Sequence, residues 1–250
     1  MLAVLWGALV YLAWPWIEQA LPFSWTEKEF KMPGGTRSYY LYQPVKIPEN
    51  ARLPLYIFLM GFDLIEQPSY DTRTNYLKMA KFAEKHRAFI AFPRGMPGAF
   101  PENSGVRAWY PDYFNENRRF IASLTVFLQQ KLPIDSKKIV LMGFSNGGYF
   151  AGIEMLTNPA TPYCGFWLDG GAYPYAFTAE VSRKPVFLSY GENDEFNRPY
   201  LEKFRSFVLD NGWEEGRNLK TFLHKKGHAF NDQSIDAGME FFAAFFAAQE

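Results

Sequence analysis

The sequence predicts an α/β fold: a single domain over residues 30–250, built on a mostly parallel central sheet with helices on both faces. Three observations predict it. Apolar runs of strand chemistry alternate with longer segments of helical period, as in a parallel sheet that is covered on both sides. Most of those runs are bounded by Gly or Pro. A length of 250 residues is also within what one α/β domain reaches. In chain order, strands are expected at residues 38–43 (SYYLYQ), 53–60 (LPLYIFLM), 88–92 (AFIAF), 138–142 (KIVLM), 165–169 (GFWLD), 186–190 (VFLSY) and 219–223 (LKTFL). Helices are expected at 72–86, 115–131, 146–156, 198–209 and 232–248. The last helix sets Ile235, Met239, Phe242 and Phe246 on one stripe, which reads as core packing. Residues 94–114 break the alternation with three Pro, three Gly and no period, so a long loop is expected there, just past a strand end.

Composition narrows the classes. Hydrophobic residues at 48% and charged residues at 21% are close to globular averages, which argues against disorder and against a multi-span membrane protein. With 26 basic and 26 acidic side chains there is no net charge to attract a polynucleotide, so no nucleic-acid partner is expected. The single cysteine, Cys164, excludes an internal disulfide and reads as a small buried apolar residue. The aromatic content of 19% suits either a pocket or a core rich in rings. Residues 1–25 differ in kind. Their first 17 (MLAVLWGALVYLAWPWI) carry no charged side chain and read as an export segment or membrane anchor, with a cytoplasmic chain bearing an amphipathic arm as the alternative.

The chemistry centres on residues 138–148, KIVLMGFSNGG, a strand turning sharply through Gly143–Phe144–Ser145–Asn146–Gly147 into a helix. A serine at the tip of such a turn is exposed but tightly surrounded, so the residues two before and two after it must be small. The amino end of the following helix favours negative charge that develops beside the serine. A serine hydroxyl needs a base, and the base needs an orienting acid. Asp194, just past the strand at 186–190, is the candidate acid, with Glu192 and Asp169 as competitors. His228, after the last strand, is the candidate base. His86 reads as a residue of a helix C-terminus, and His224 paired with His228 lacks a third ligand at metal spacing, so no metal is expected.

The elbow GFSNGG, the GENDEF turn, the KGHAF turn and the early RSYYLYQP strand resemble the polyhydroxybutyrate depolymerase and feruloyl-esterase-like branch of the α/β-hydrolases. The resemblance implies a Ser145, Asp194, His228 triad, no cofactor, and esters of hydroxyalkanoic or aromatic acids as substrates; the short link at 170–185, which leaves no room for a helical lid, adds short acyl esters to that expectation. One departure stands at the end of the strand at 53–60. Relatives carry His-Gly there, and this chain has Met60–Gly61–Phe62. The oxyanion hole is then expected from the backbone N–H groups of Phe62 and Asn146. Phe100, Trp109, Tyr110 and Tyr113, in the loop after the strand at 88–92, are expected to face the acyl group. Two rival readings share the fold: a serine peptidase or amide hydrolase on the same triad, and a non-catalytic binding or scaffold protein. Membrane association through residues 1–17 is a further expectation, and the oligomeric state is left open.

Overall fold

The structure, a computed structural model, describes residues 26–97, 105–109, 114–174, 177–178 and 180–249. Its elements run β1 (Lys28–Met32), β2 (Gly35–Tyr42), β3 (Leu53–Leu59), β4 (Asp63–Leu64), α1 (Tyr70–His86), β5 (Phe89–Pro93), β6 (Met96–Pro97) and β7 (Val106–Ala108). They continue with α2 (Phe114–Lys131), β8 (Ile134–Phe144), α3 (Asn146–Thr157), β9 (Gly165–Asp169), β10 (Val186–Gly191), α4 (Arg198–Asp210), β11 (Leu219–His224) and α5 (Asp232–Ala247).

Eight strands form one sheet in the order β1-β2-β5-β3-β8-β9-β10-β11. From β5 to β11 the neighbours are parallel; β1 with β2 and β2 with β5 are antiparallel. All seven expected strands and five expected helices are present, with ends moved by up to four residues. The largest shift is in β8, which starts at Ile134 rather than 138. The alternation of side chains explains the two-sided core. Leu55, Ile57 and Leu59 of β3 join Phe120, Leu124, Phe150 and Phe204 on the face of α2, α3 and α4. Tyr56, Phe58 and Met60 join Tyr76, Met79, Met239 and Phe242 on the face of α1 and α5. Most of the aromatic excess sits here. Trp167, Trp213, Tyr42 and Tyr76 are among the largest fully buried side chains, and each such ring removed from water contributes ~2–3 kcal/mol.

Local chemistry fixes the helix ends. Ser69 caps α1 by accepting the Thr72 N–H at 3.2 Å, and Arg87 ends it in the left-handed region at φ 51°. Asn231 caps α5 through the Gln233 N–H at 2.7 Å.

Three expectations need correction. The stretch 94–114 is not wholly loop: β6 and β7 pair in antiparallel fashion, and β7 pairs with β4 to make a small three-stranded sheet. Cys164 is half-buried instead of buried, because it precedes β9 at the sheet margin, where its thiol reaches the Ser136 carbonyl at 3.5 Å. The edge strand β1, charged on its outer positions, was not anticipated. Residues 1–25, with the expected export segment or anchor, lie outside the described residues. Among the described residues no helix is long and apolar enough to cross a membrane.

Candidate active site

The strand ends of β8, β9, β10 and β11 build the site. Ser145 follows β8 with φ 55° and ψ −120°, a conformation that side chains rarely adopt and that stores strain at the turn. Two glycines permit it. A Cβ on Gly143 would lie 2.1 Å from the Gly147 carbonyl oxygen, and one on Gly147 would lie 2.0 Å from that of Leu59. The Ser145 N–H donates to the carbonyl of Asp169 at the end of β9, at 2.8 Å, while the Ser145 carbonyl accepts from Gly148 and Tyr149 as α3 begins.

Asp194 lies three residues past β10 and is almost wholly buried. His228 lies four residues past β11, the next strand in the sheet. The two turns are knitted together: Glu192 N–H donates to the His224 carbonyl at 2.7 Å, Asn193 N–H to that of Lys226 at 3.2 Å, and the Asn193 amide to that of Lys225 at 3.1 Å. The result is a continuous chain. Asp194 Oδ2 is 2.7 Å from His228 Nδ1, and His228 Nε2 is 2.9 Å from Ser145 Oγ. A carboxylate accepts only, so the proton sits on Nδ1 and leaves Nε2 to accept from the serine hydroxyl. Phe144 stacks under the imidazole at 4.9 Å between ring centres.

Sequence reading missed Asn197. Its backbone N–H donates to Asp194 Oδ1 at 3.0 Å, and its side-chain amide lies 3.3 Å from both carboxylate oxygens. Its Oδ1 accepts from the Tyr149 hydroxyl at 3.2 Å. The signal was the Asp-x-x-Asn spacing of an Asx-type turn ahead of a Pro-bearing helix start.

The competing residues fall elsewhere. Glu192 is exposed and takes part through its backbone: besides the N–H given to His224, its carbonyl accepts from Arg198 at 2.9 Å. His86 ends α1 and meets Asp236 at 3.0 Å. His224 is buried; its Nδ1 accepts the Lys226 N–H at 3.3 Å, and burial, then Lys226, lower its pKa. Among the described residues no group of three or more His, Cys, Asp and Glu side chains is arranged to hold a metal ion.

Around Ser145 a cleft of about 520 Å³ is lined by Met60, Gly61, Phe62, Asn75, Lys78 and His228, among others. Gly61 lies against the serine: a Cβ there would be 3.1 Å from Ser145 Cβ. Met60, at the position where relatives were expected to carry histidine, is buried and takes the Asn75 amide on its sulfur at 3.8 Å. A second cleft of about 470 Å³ lies beside Asn146, with Tyr149, Phe150, Tyr173, Phe196 and Tyr200 on its walls. Trp109 contributes to this cleft, yet only 3% of it is exposed. It is held as a structural post, its Nε1 donating to the Met60 carbonyl at 2.8 Å and its backbone N–H to Asn146 Oδ1 at 2.7 Å. Phe100, Tyr110 and Tyr113 lie outside the described residues.

Residues 71–246 match the family described as Phospholipase/Carboxylesterase. A curated relative, the bifunctional acetylxylan esterase/xylanase XynS20E of Neocallimastix patriciarum, is 25% identical over 174 residues, which is 68% of this chain. The match spans only 23% of that longer protein. Among solved structures, a Bacillus cereus carboxylesterase superposes with a TM-score of 0.63 at 15% identity, covering 84% of this chain and 95% of its own. The S-formylglutathione hydrolase of Staphylococcus aureus gives 0.64 at 13% identity, covering 88% and 96%. Similarity at that level speaks to the fold alone.

Proposed function

The chain belongs to the phospholipase/carboxylesterase family of α/β-hydrolases, and from that premise we propose that it hydrolyses carboxylic esters through an acyl-enzyme on Ser145. The observation that carries the reading is the hydrogen-bonded chain Asp194–His228–Ser145, with links of 2.7 and 2.9 Å. Ser145 Oγ attacks the acyl carbon while His228 Nε2 takes its proton, and Asp194 holds the Nδ1–H and the imidazolium that forms. Negative charge collects on the former carbonyl oxygen. The backbone N–H groups of Asn146, at the amino end of α3, and of Phe62, one residue past the glycine packed on Ser145, are its donors. The alkoxide leaves as alcohol with the proton from His228. A water then repeats the sequence at the acyl-enzyme, so ester and water give acid and alcohol.

The aromatic walls of the second cleft support small or flat acyl groups: short acyl, hydroxyalkanoate or aromatic-acid esters. The test joins a fluorophosphonate probe with a panel of paired ester and amide substrates. Labelling at Ser145 with faster ester than amide turnover is expected. Faster amide turnover would make the chain an amide hydrolase on the same triad, and a serine that fails to label would leave a binding protein.

A further inference from the structure

We propose that Asp169 is a positioning residue for this reaction, fixing the serine turn and the histidine turn relative to each other from the strand between them. The proposal rests on the triad reading above. Asp169 is the last residue of β9, and β9 lies between β8, which leads to Ser145, and the β10–β11 pair, which leads to Asp194 and His228. Its backbone carbonyl accepts the Ser145 N–H at 2.8 Å. Its Oδ2 accepts from the Ser189 hydroxyl of β10, and from the Ser234 hydroxyl in the first turn of α5 at 3.3 Å. Ser234 Oγ also reaches the carbonyl of Asn231, three residues past His228, at 2.8 Å. The next residue, Gly170, underlies the base: a Cβ there would lie 3.1 Å from His228 Cε1 and 3.3 Å from Nδ1. Asp169 therefore meets the serine turn through its backbone carbonyl and reaches the histidine turn through Ser234 and the adjoining Gly170, without facing substrate.

Packing alone does not call for this group. Asp169 is fully buried, and among the described residues its Oδ1 has no hydrogen-bond partner. A carboxyl in such a place costs several kcal/mol when ionised, and an apolar residue of similar volume would avoid that cost. Burial accordingly pushes its pKa up to about 7, against the opposing hydrogen bonds of Ser189, Ser234 and Trp167. The side chain is a neutral donor-acceptor below that pH and an anion above it. The ionisable groups that face it are Asp194 past β10 and, across Gly170, His228 past β11; Asp232 at the head of α5 is paired with Lys78 of α1 at 3.4 Å. Neither Ile139–Phe144 of β8 nor the first two turns of α3 carries a charged residue.

The test compares the full-length parent with Asp169→Asn, Asp169→Ala and Ser234→Ala, using fluorophosphonate labelling, kcat, KM and the pH profile of kcat/KM on a short ester. Asp169→Ala is expected to lose roughly 10- to 100-fold in kcat with KM little changed, because misplacement of the reacting groups acts on the chemical step. Asp169→Asn keeps the neutral geometry and should recover most of that loss at slightly acid pH. Because the amide does not titrate, the kcat/KM profiles of the Asn variant and the parent should agree at slightly acid pH and diverge as pH rises through about 7, where Asp169 ionises. Ser234→Ala should lower kcat in the same sense, to a smaller extent. A folded Asp169→Ala with the parent's kcat, or an Asn variant that tracks the parent through about pH 7, overturns the proposal. If Asp169→Ala does not fold, the divergence of the Asn variant decides. No labelling of Ser145 in the parent overturns the triad reading and this proposal together, whereas normal labelling with no divergence sinks only the second.

Discussion

A buried carboxyl that holds its proton well above the usual carboxylate range makes stability depend on pH in a direction opposite to that of most acids, and Asp169 allows this to be measured without any enzyme assay. Its pKa rises from the ordinary 3.8 to about 7 on folding, because burial disfavours the charged form. Between those values the folded protein holds the proton and the unfolded chain has released it. Stability from this group is therefore fully present below the unfolded value and is lost as pH rises toward the folded one. Each pH unit in that window is worth about 1.4 kcal/mol, so between about pH 5 and about pH 8 the carboxyl should cost roughly 2 to 3 kcal/mol. Asp169→Asn does not titrate and escapes that cost. Relative to the parent it should gain about that amount across the window, whatever fixed penalty the amide carries. Urea unfolding at several pH values, with the slope m unchanged, gives the difference directly. Parallel stability curves for the two proteins would show that Asp169 titrates normally and refute the reasoning.

Ser145→Ala should lower kcat by at least about a thousandfold while the melting temperature stays near the parent's, since turnover would then rest on binding and the oxyanion donors alone; retention of a tenth of the activity contradicts the assignment. Gly147→Ala drives a methyl to 2.0 Å from the Leu59 oxygen and should destabilise by more than ~3 kcal/mol. Gly105→Ala, where a Cβ meets nothing within 4 Å, should stay within ~0.5 kcal/mol in the same denaturant titration. Trp109→Phe removes the donor to the Met60 carbonyl and should cost about 1–3 kcal/mol, with kcat falling because the Gly61–Phe62 junction is released; an unchanged melting point and kcat would mean that the indole bond is dispensable. Treatment with EDTA should leave the rate untouched, and a loss restored by zinc would show that the proposed metal-free mechanism is wrong.

What the sequence made legible was what carries period or punctuation. The five parallel strands from β3 through β10 and all the helices are long enough for their burial pattern to show, and the spacing Gly143-x-Ser145-x-Gly147 marks a turn in which only small neighbours fit. The edge strand β1 was hidden because its outer positions are charged, as suits an edge that must not pair further. The small sheet was hidden because strands of two and three residues have no period to read.

The choice among Asp169, Glu192 and Asp194 could not be made from composition, since each stands at or just past the end of a strand. It follows from strand order and from where each strand stops. His228 comes after β11; β10 is its neighbour and β9 is one strand further, with strands about 4.8 Å apart. Asp194 stands three residues beyond β10, far enough for the chain to curl back so that its carboxylate meets Nδ1, whereas Asp169 is itself the last residue of β9 and stays inside the sheet. Glu192, one residue past β10, is exposed, and its N–H is spent on the His224 carbonyl in the ladder that joins the two turns. Trp109 shows little of its surface to the second cleft for a related reason. A side chain whose indole N–H holds a strand-end carbonyl, in a place almost closed to water, has its polar handle already occupied, and the other walls of that cleft include Tyr149, Tyr173, Phe196 and Tyr200.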